Sequence, residues 1–291
     1  MVQDVCEIKT IGKGLTRPEG VMALDDGSVY TADAYGRCAQ ITPDGHTTFF
    51  GCLGGLPNGI CIDPQGNCIV ANIGSGEVQS LAPSGDHSIL MTQAQGRPMP
   101  TPNFPFWDFA DRLWVSNSTD NPDVDASIQR PVPDGCLILI APGKPPRIVA
   151  EGIYFANGVA VDAAEEYVYV AETMQRRVLR YRINADDSVG PAEVYGPAVL
   201  GAAGFPDGIA FDEAGNLWVA FPAANAIGFI DGCGKLEIFV EDLQGVTLRR
   251  PANICFGGED RRTAFVGSLG GASVPYFEVP HPGVRMVHQK K

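Results

Sequence analysis

The chain has 291 residues, 45% of them hydrophobic, with a mean hydropathy of +0.01, which is ample for a core and excludes disorder. A net charge of -13 and an isoelectric point near 4.7 exclude a nucleic-acid groove and an anionic membrane surface, since both need clustered Lys and Arg. The 35 Gly and 23 Pro make up about 20% of the chain, against roughly 12% in average usage, and mark many turns.

The N-terminal stretch MVQDVCEIKTIGKG carries an early acid and no apolar signal core, and no apolar run reaches the ~18 residues that cross a bilayer. A soluble, cytoplasmic protein is expected. Eight cysteines are too dilute for a disulfide framework and form no CxxC pair. Cys6, Cys61, Cys68, Cys136 and Cys255 stand in apolar, strand-like surroundings and are expected as core thiols.

From residue 17 a phrase recurs: Pro or Ala, a polar residue, usually Gly, then an alternating apolar strand. It reads RPEGVMALDD from Arg17, LPNGICIDPQ from Leu56 and TPNFPFWDFA from Thr101. It continues as FANGVAVDAA from Phe155, FPDGIAFDEA from Phe205 and RPANICFGGE from Arg250. A short turn follows each, then a second strand: SVYTAD, NCIVAN, RLWVSN, YVYVAE, NLWVAF and TAFVGS. Later segments such as CAQITPDGHTTFF read as hairpins through Pro-x-Gly or Asp-Gly turns. No stretch has convincing 3.6-residue periodicity, so few helices are expected.

Six four-stranded units of roughly 40 to 50 residues predict an all-β, six-bladed β-propeller, one domain over 1–291, with antiparallel blades around a central metal-binding channel. VCEIKTIG is the expected outer strand of the last blade, joining the two ends of the chain.

The position that is polar in five of the six phrases falls at one mouth of the channel. Blade by blade it holds Glu19, Asn58, Asn103, Asn157, Asp207 and Ala252. Gly20, Gly59, Gly158 and Gly208 follow four of them, suiting a close backbone approach or an unusual dihedral. Two carboxylates about 5 Å apart repel by about 3 kcal/mol at an effective dielectric near 20, and a divalent cation reverses that cost. The donors are hard oxygens, so calcium or magnesium suits them better than a dedicated zinc cage; manganese also fits. Glu19, Asn157 and Asp207 together read as the cation's ligands, whereas Asn58 alone reads as turn chemistry.

At these residues the chain resembles the gluconolactonase/regucalcin (senescence marker protein-like) family of six-bladed propellers. The resemblance runs through RPEG at 17–20, residues 154–183, GFPDGIAFDEAGNLWVA at 204–220 and FGGEDRRTAFVGSLGG at 256–271. It implies one divalent metal, calcium first with Mn2+, Zn2+ or Mg2+ as the others, on Glu19, Asn157 and Asp207. Asn103 would lie next to metal and substrate, and Asp207 would take the proton from the attacking water. The implied activity is metal-dependent opening of a small-molecule lactone. Where family lactonases carry Pro-Asn-Asp in blade three, this chain has Pro102-Asn103-Phe104, and the family's basic residue two positions before that Asn is Thr101. Phe104, Phe106 and Trp107 are therefore expected to shape a substrate pocket more apolar than a sugar needs. Strictosidine synthase-like propellers share part of the pattern, and phosphotriesterases of this architecture use a similar metal centre. A calcium-binding propeller without turnover and a phosphotriesterase-like hydrolase thus stay open as alternatives.

None of His46, His87, His281 and His288 has HxH or HExxH spacing, and GxSxG, P-loop and GxGxxG motifs are missing. STDNPDVDASIQRPVPDG (118–135) reads as a solvated loop over the channel mouth whose Arg130 could reach a substrate. Glu172, near Arg176, Arg177 and Arg180, reads as an ion pair, and Trp114, Trp218 and Tyr169 as blade packing.

Overall fold

Each phrase becomes the innermost strand of a four-stranded antiparallel sheet in the computed structural model, which describes residues 4–289. Blade one runs Val21–Ala23, Val29–Asp33, Arg37–Ile41 and Thr47–Phe50 outward from the axis. The innermost strands of the next four blades are Pro57–Ile62, Pro102–Trp107, Ala156–Val161 and Ile209–Phe211. That of blade six is Pro251–Gly257, and each innermost strand packs on those of the neighbouring blades, so the six sheets form a six-bladed β-propeller. The blade faces bury one another: Trp114, Leu137 and Leu139 of blade three meet Val159, Val161 and Val168 of blade four.

Blade six takes its outer strand from the other end of the chain. Lys9–Ile11 pairs antiparallel with Val274–Glu278, Thr10 opposite Pro275, and closes the ring as expected. The strand is shorter than VCEIKTIG because the Asp4 carboxylate accepts the Cys6 N–H at 2.9 Å and caps a 3-10 turn over Val5–Glu7. Cys6 is exposed there, contrary to its expected core position. Cys61, Cys68, Cys136 and Cys255 are buried as expected, and all eight thiols are free.

The Asp closing four of the phrases fixes the turn that follows. Asp63 accepts N–H groups of Gln65 and Asn67 at 2.9 and 2.8 Å, and Asp212 those of Ala214 and Asn216 at 3.0 and 2.9 Å. The fully buried Trp114 and Trp218 then donate their indole N–H to Asp108 and Asp212 at 2.8 and 2.9 Å. Every innermost strand therefore runs from the mouth bearing the polar ring to a second mouth bearing these turns.

The long connection in blade three carries the one α-helix among the described residues, Val124–Gln129, capped by the Asp123 side chain. Asp120 is paired with Arg97, which also binds Glu151. Among the described residues no helix is long and apolar enough to cross a membrane.

The C-terminal segment crosses the second mouth. Val284 donates to the Phe211 carbonyl at 2.9 Å, Gln289 to that of Phe256 at 3.1 Å, and His288 Nε2 to that of Ala23 at 3.1 Å. Because a carbonyl only accepts, Nε2 carries the proton of the neutral ring. Nδ1 is buried without a partner, and burial holds the imidazole below its ordinary pKa, against the opposing charge of Asp25. A depressed histidine contributes stability above the unfolded value near 6.5 that is lost as the pH falls through that value toward the depressed one. His288→Gln keeps a donor for Ala23 and removes the titration. The melting-temperature difference, variant minus wild type, should rise between pH 7.5 and 5.5; a constant difference would refute this role.

Candidate metal centre

At the first mouth the ring residues Glu19, Asn58, Asn103, Asn157 and Asp207 are at most 6% exposed, and Ala252 completes the ring. Four of the strands slip register there, between Pro57 and Ile60, Pro102 and Phe104, Ala156 and Val159, and Pro251 and Asn253. Such bulges release a side chain from the alternation of its strand. The glycines that follow answer to close approach rather than to an unusual dihedral. A Cβ on Gly20, Gly59 or Gly158 would stand 2.4, 2.5 or 2.4 Å from the carbonyl oxygen of Asn58, Asn103 or Asp207 in the next blade. Any side chain there would push the ring apart.

Asn58 organises one half of the ring. Its Nδ2 donates to Glu19 Oε1 at 3.0 Å and Asn103 Oδ1 at 3.1 Å, while its Oδ1 accepts Arg17 Nη2 at 2.7 Å. The turn reading of Asn58 is corrected by these bonds, which join three blades. In the other half, Asn157 Nδ2 donates to Thr173 Oγ1 at 3.3 Å, and that hydroxyl donates to the Pro206 carbonyl at 2.8 Å. Asn157 is thereby held with its oxygen facing away from its donor bond.

Three oxygens are left over. Glu19 Oε2, Asn157 Oδ1 and Asp207 Oδ1 are buried with no hydrogen-bond partner. Burial drives the Glu19 carboxyl well above the usual range, and the Asp207 charge adds to this, against Arg17 and the Asn58 bond. Burial raises Asp207 to about 7, opposed by Arg17, Asn157 and Arg250. Desolvated carboxylates that still have an empty lone pair are short of positive charge. The three orphaned atoms belong to the residues expected as ligands, so the donor set fits a hard divalent cation. Among the described residues no group of three or more His, Cys, Asp or Glu is placed to hold a metal. The amide oxygen of Asn157 is what completes this set.

Arg17 escaped the sequence reading. It adopts a left-handed φ of 52°, and its Nη1 is buried with no partner. The signal lay in the repeat: the residues two positions before the ring are Arg17, Leu56, Thr101, Phe155, Phe205 and Arg250. The family's basic residue at this register in blade three is Thr101 here, and Thr101 is fully buried, donating to the Thr119 carbonyl. In this chain the basic residues at this register stand in blades one and six.

Phe106 and Trp107 are not brought to this mouth. Trp107 lies four residues beyond Asn103, about 13 Å along an extended strand. Both line a cavity at the second mouth, where the Trp107 indole bonds Asp111 at 2.9 Å. Phe104 is buried against Trp114 and Leu137 and reaches the same cavity. Arg130 is exposed at the end of the short helix, its N–H bound to the Ala126 carbonyl. Glu172 is ion-paired with Arg177 and accepts the Tyr154 N–H at 2.9 Å, which matches the ion-pair reading.

The family described as the SMP-30/Gluconolactonase/LRE-like region matches residues 106–270, more than half of the chain. A strictosidine synthase-like 6 protein of Arabidopsis thaliana is 27% identical over 224 residues, 73% of this chain and 58% of that protein. A 6-deoxy-6-sulfogluconolactonase of Pseudomonas putida is 29% identical over 122 residues, 42% of this chain and 40% of that protein. The matches thus span about half the length of these curated relatives. The structure of a gluconolactonase from Xanthomonas campestris superposes with a TM-score of 0.77 at 18% identity, covering 94% of this chain and 89% of that one. At that identity the likeness speaks for the fold.

Proposed function

The chain belongs to the SMP-30/gluconolactonase/LRE-like family, and from that premise and the geometry of the ring we propose that it is a metal-dependent hydrolase opening a lactone or similar cyclic ester. Lactonase relatives support lactone hydrolysis at the level of the family. The observation that carries the reading for this chain is the trio of buried, unpartnered oxygens on Glu19, Asn157 and Asp207. These would hold the cation, calcium first because every donor is a hard oxygen. When bound, such a cation polarises the ester carbonyl and makes a nearby water more acidic.

The protein's own groups do the rest. Asp207 takes the proton from the water as its oxygen attacks the carbonyl carbon. The same carboxyl returns that proton to the ring oxygen as the ester C–O bond breaks, giving a hydroxy acid. Asn58 fixes Glu19 and Asn103 relative to one another across three blades. The unpaired Nη1 of Arg17 is placed for the negative charge that develops on the ester. Phe106 and Trp107, which line the cavity at the other mouth, would not meet that substrate.

The test is acid release by metal-depleted protein on sugar and alkyl lactones, followed with a pH indicator as calcium, manganese, zinc or magnesium is restored. Cation-dependent opening of at least one lactone is expected. Silence across the panel while calcium still raises the melting temperature would overturn the hydrolase and favour a calcium-binding propeller without turnover. Turnover confined to phosphotriesters would move the same centre to the other bond type.

A further inference from the structure

At the second mouth the channel widens into a cavity of about 710 Å³, within the size range of small-molecule sites. Met22, Ile60, Phe104, Ala210 and Ile254 line it from the innermost strands, and Trp107 and Phe211 add aromatic faces. Val284 and Met286 of the crossing C-terminal segment form part of the wall. That segment is tied down on either side, at Phe211 through Val284 and at Phe256 through Gln289. The segment therefore walls one side of the cavity, which stays open to solvent toward the exposed Phe109 and Glu213. Between this cavity and the ligand ring the innermost strands pack closely on one another at Gly20, Gly59, Gly158 and Gly208.

The polar groups around this chamber are largely engaged. Asp108 and Asp212 accept turn N–H groups and an indole each. Glu165 accepts the Phe109 N–H and faces Arg112 at 3.6 Å, while Arg261 is bonded to Glu213 and the Gly283 carbonyl. Among the fully buried polar groups Asn253 is the exception, while the half-buried Arg285 lies over the Phe109 ring. Asn253 is 1% exposed and lines the cavity, its Oδ1 accepts the Ile254 N–H at 2.7 Å, and its Nδ2 is buried with no partner. An amide N–H left unmade in an apolar wall is costly, and a ligand acceptor relieves that cost.

We propose that this chamber is a second binding site, independent of the cation, for a small uncharged and mostly apolar molecule whose carbonyl or ether oxygen accepts the Asn253 Nδ2–H. Of the ionic groups in the wall, Asp108, Asp212, Glu165 and Arg261 already have partners, and Arg285, half-buried, lies over the Phe109 ring. The apolar body would bury against Phe104, Trp107 and Phe211.

Two neutral fluorescent probes test this on the intact protein: Nile red, which carries a ring carbonyl, and diphenylhexatriene, which has no acceptor. Saturable 1:1 uptake of both, unchanged by a metal chelator, is expected. Ala210→Trp should fill the chamber and weaken both probes at least tenfold, with Ala210→Phe as the milder filling variant should the first fail to fold. Asn253→Leu keeps the branching at Cγ while removing the donor, and should weaken Nile red about tenfold while leaving diphenylhexatriene within twofold. No saturable uptake by wild type would overturn the site. Full binding by a folded Ala210 variant would also overturn it, and equal loss of both probes in Asn253→Leu would overturn the role of the amide.

Discussion

Asp207→Asn is expected to lower kcat/KM for lactone opening about a thousandfold at saturating cation, without loss of folded protein. The size follows from the role: a positioned side chain that moves a proton in the transition state contributes typically ~10²- to 10⁴-fold. The amide conserves shape and one oxygen, so the position can still face a cation, but it cannot take a proton. Folding should survive because the native carboxyl is buried and driven up to about 7, so that a neutral group replaces one already resisting ionisation. Asp207→Ala goes further by removing the oxygen as well, and should abolish activity and weaken the cation. Measuring cation affinity separately from kcat splits the two roles. A fully active Asp207→Asn enzyme with unchanged cation affinity would remove Asp207 from the chemistry and return the proton transfer to another group.

The ring was legible because the propeller repeats its geometry: one position per phrase returns to the axis, and aligning six phrases superposes six side chains. What failed was whatever the phrase does not encode. Alternation along Pro102–Trp107 tells which residues are apolar but not that the strand leaves the ring behind, so Phe106 and Trp107 were assigned to the wrong mouth. Asn58 looked like turn chemistry because Pro-Asn-Gly is a turn sequence; its bonds to Arg17, Glu19 and Asn103 are all to other blades or segments. Arg17 was invisible for the opposite reason. It stands outside the polar position, and a left-handed backbone at a bulky residue is not expected from sequence. Cys6 followed a local apolar pattern that one side-chain cap, from Asp4, overrode.

Glu19→Gln should have effects of opposite sign in the presence and absence of cation. In wild type without cation, Glu19 and Asp207 share a buried site, where burial and mutual charge both disfavour ionised Glu19 and Arg17 offsets them in part. Burying ionised groups with too little compensation costs several kcal/mol in general. Glutamine removes one of the two buried carboxyls, keeps an oxygen for the Asn58 amide, and leaves Arg17 to balance Asp207. The cation-free variant should therefore melt above cation-free wild type. With free calcium at a hundred times its Kd, linkage stabilises wild type by about 2.7 kcal/mol, roughly 4 to 5 °C for a chain of this size. The variant, with one carboxylate where two are needed, should lose most of that shift, so that the order of the two melting curves inverts when calcium is added. A retained calcium shift in Glu19→Gln would place the cation elsewhere. A lower melting temperature for the variant in chelator would mean that Glu19 stabilises the ring through its bond to Asn58 more than its buried charge destabilises it.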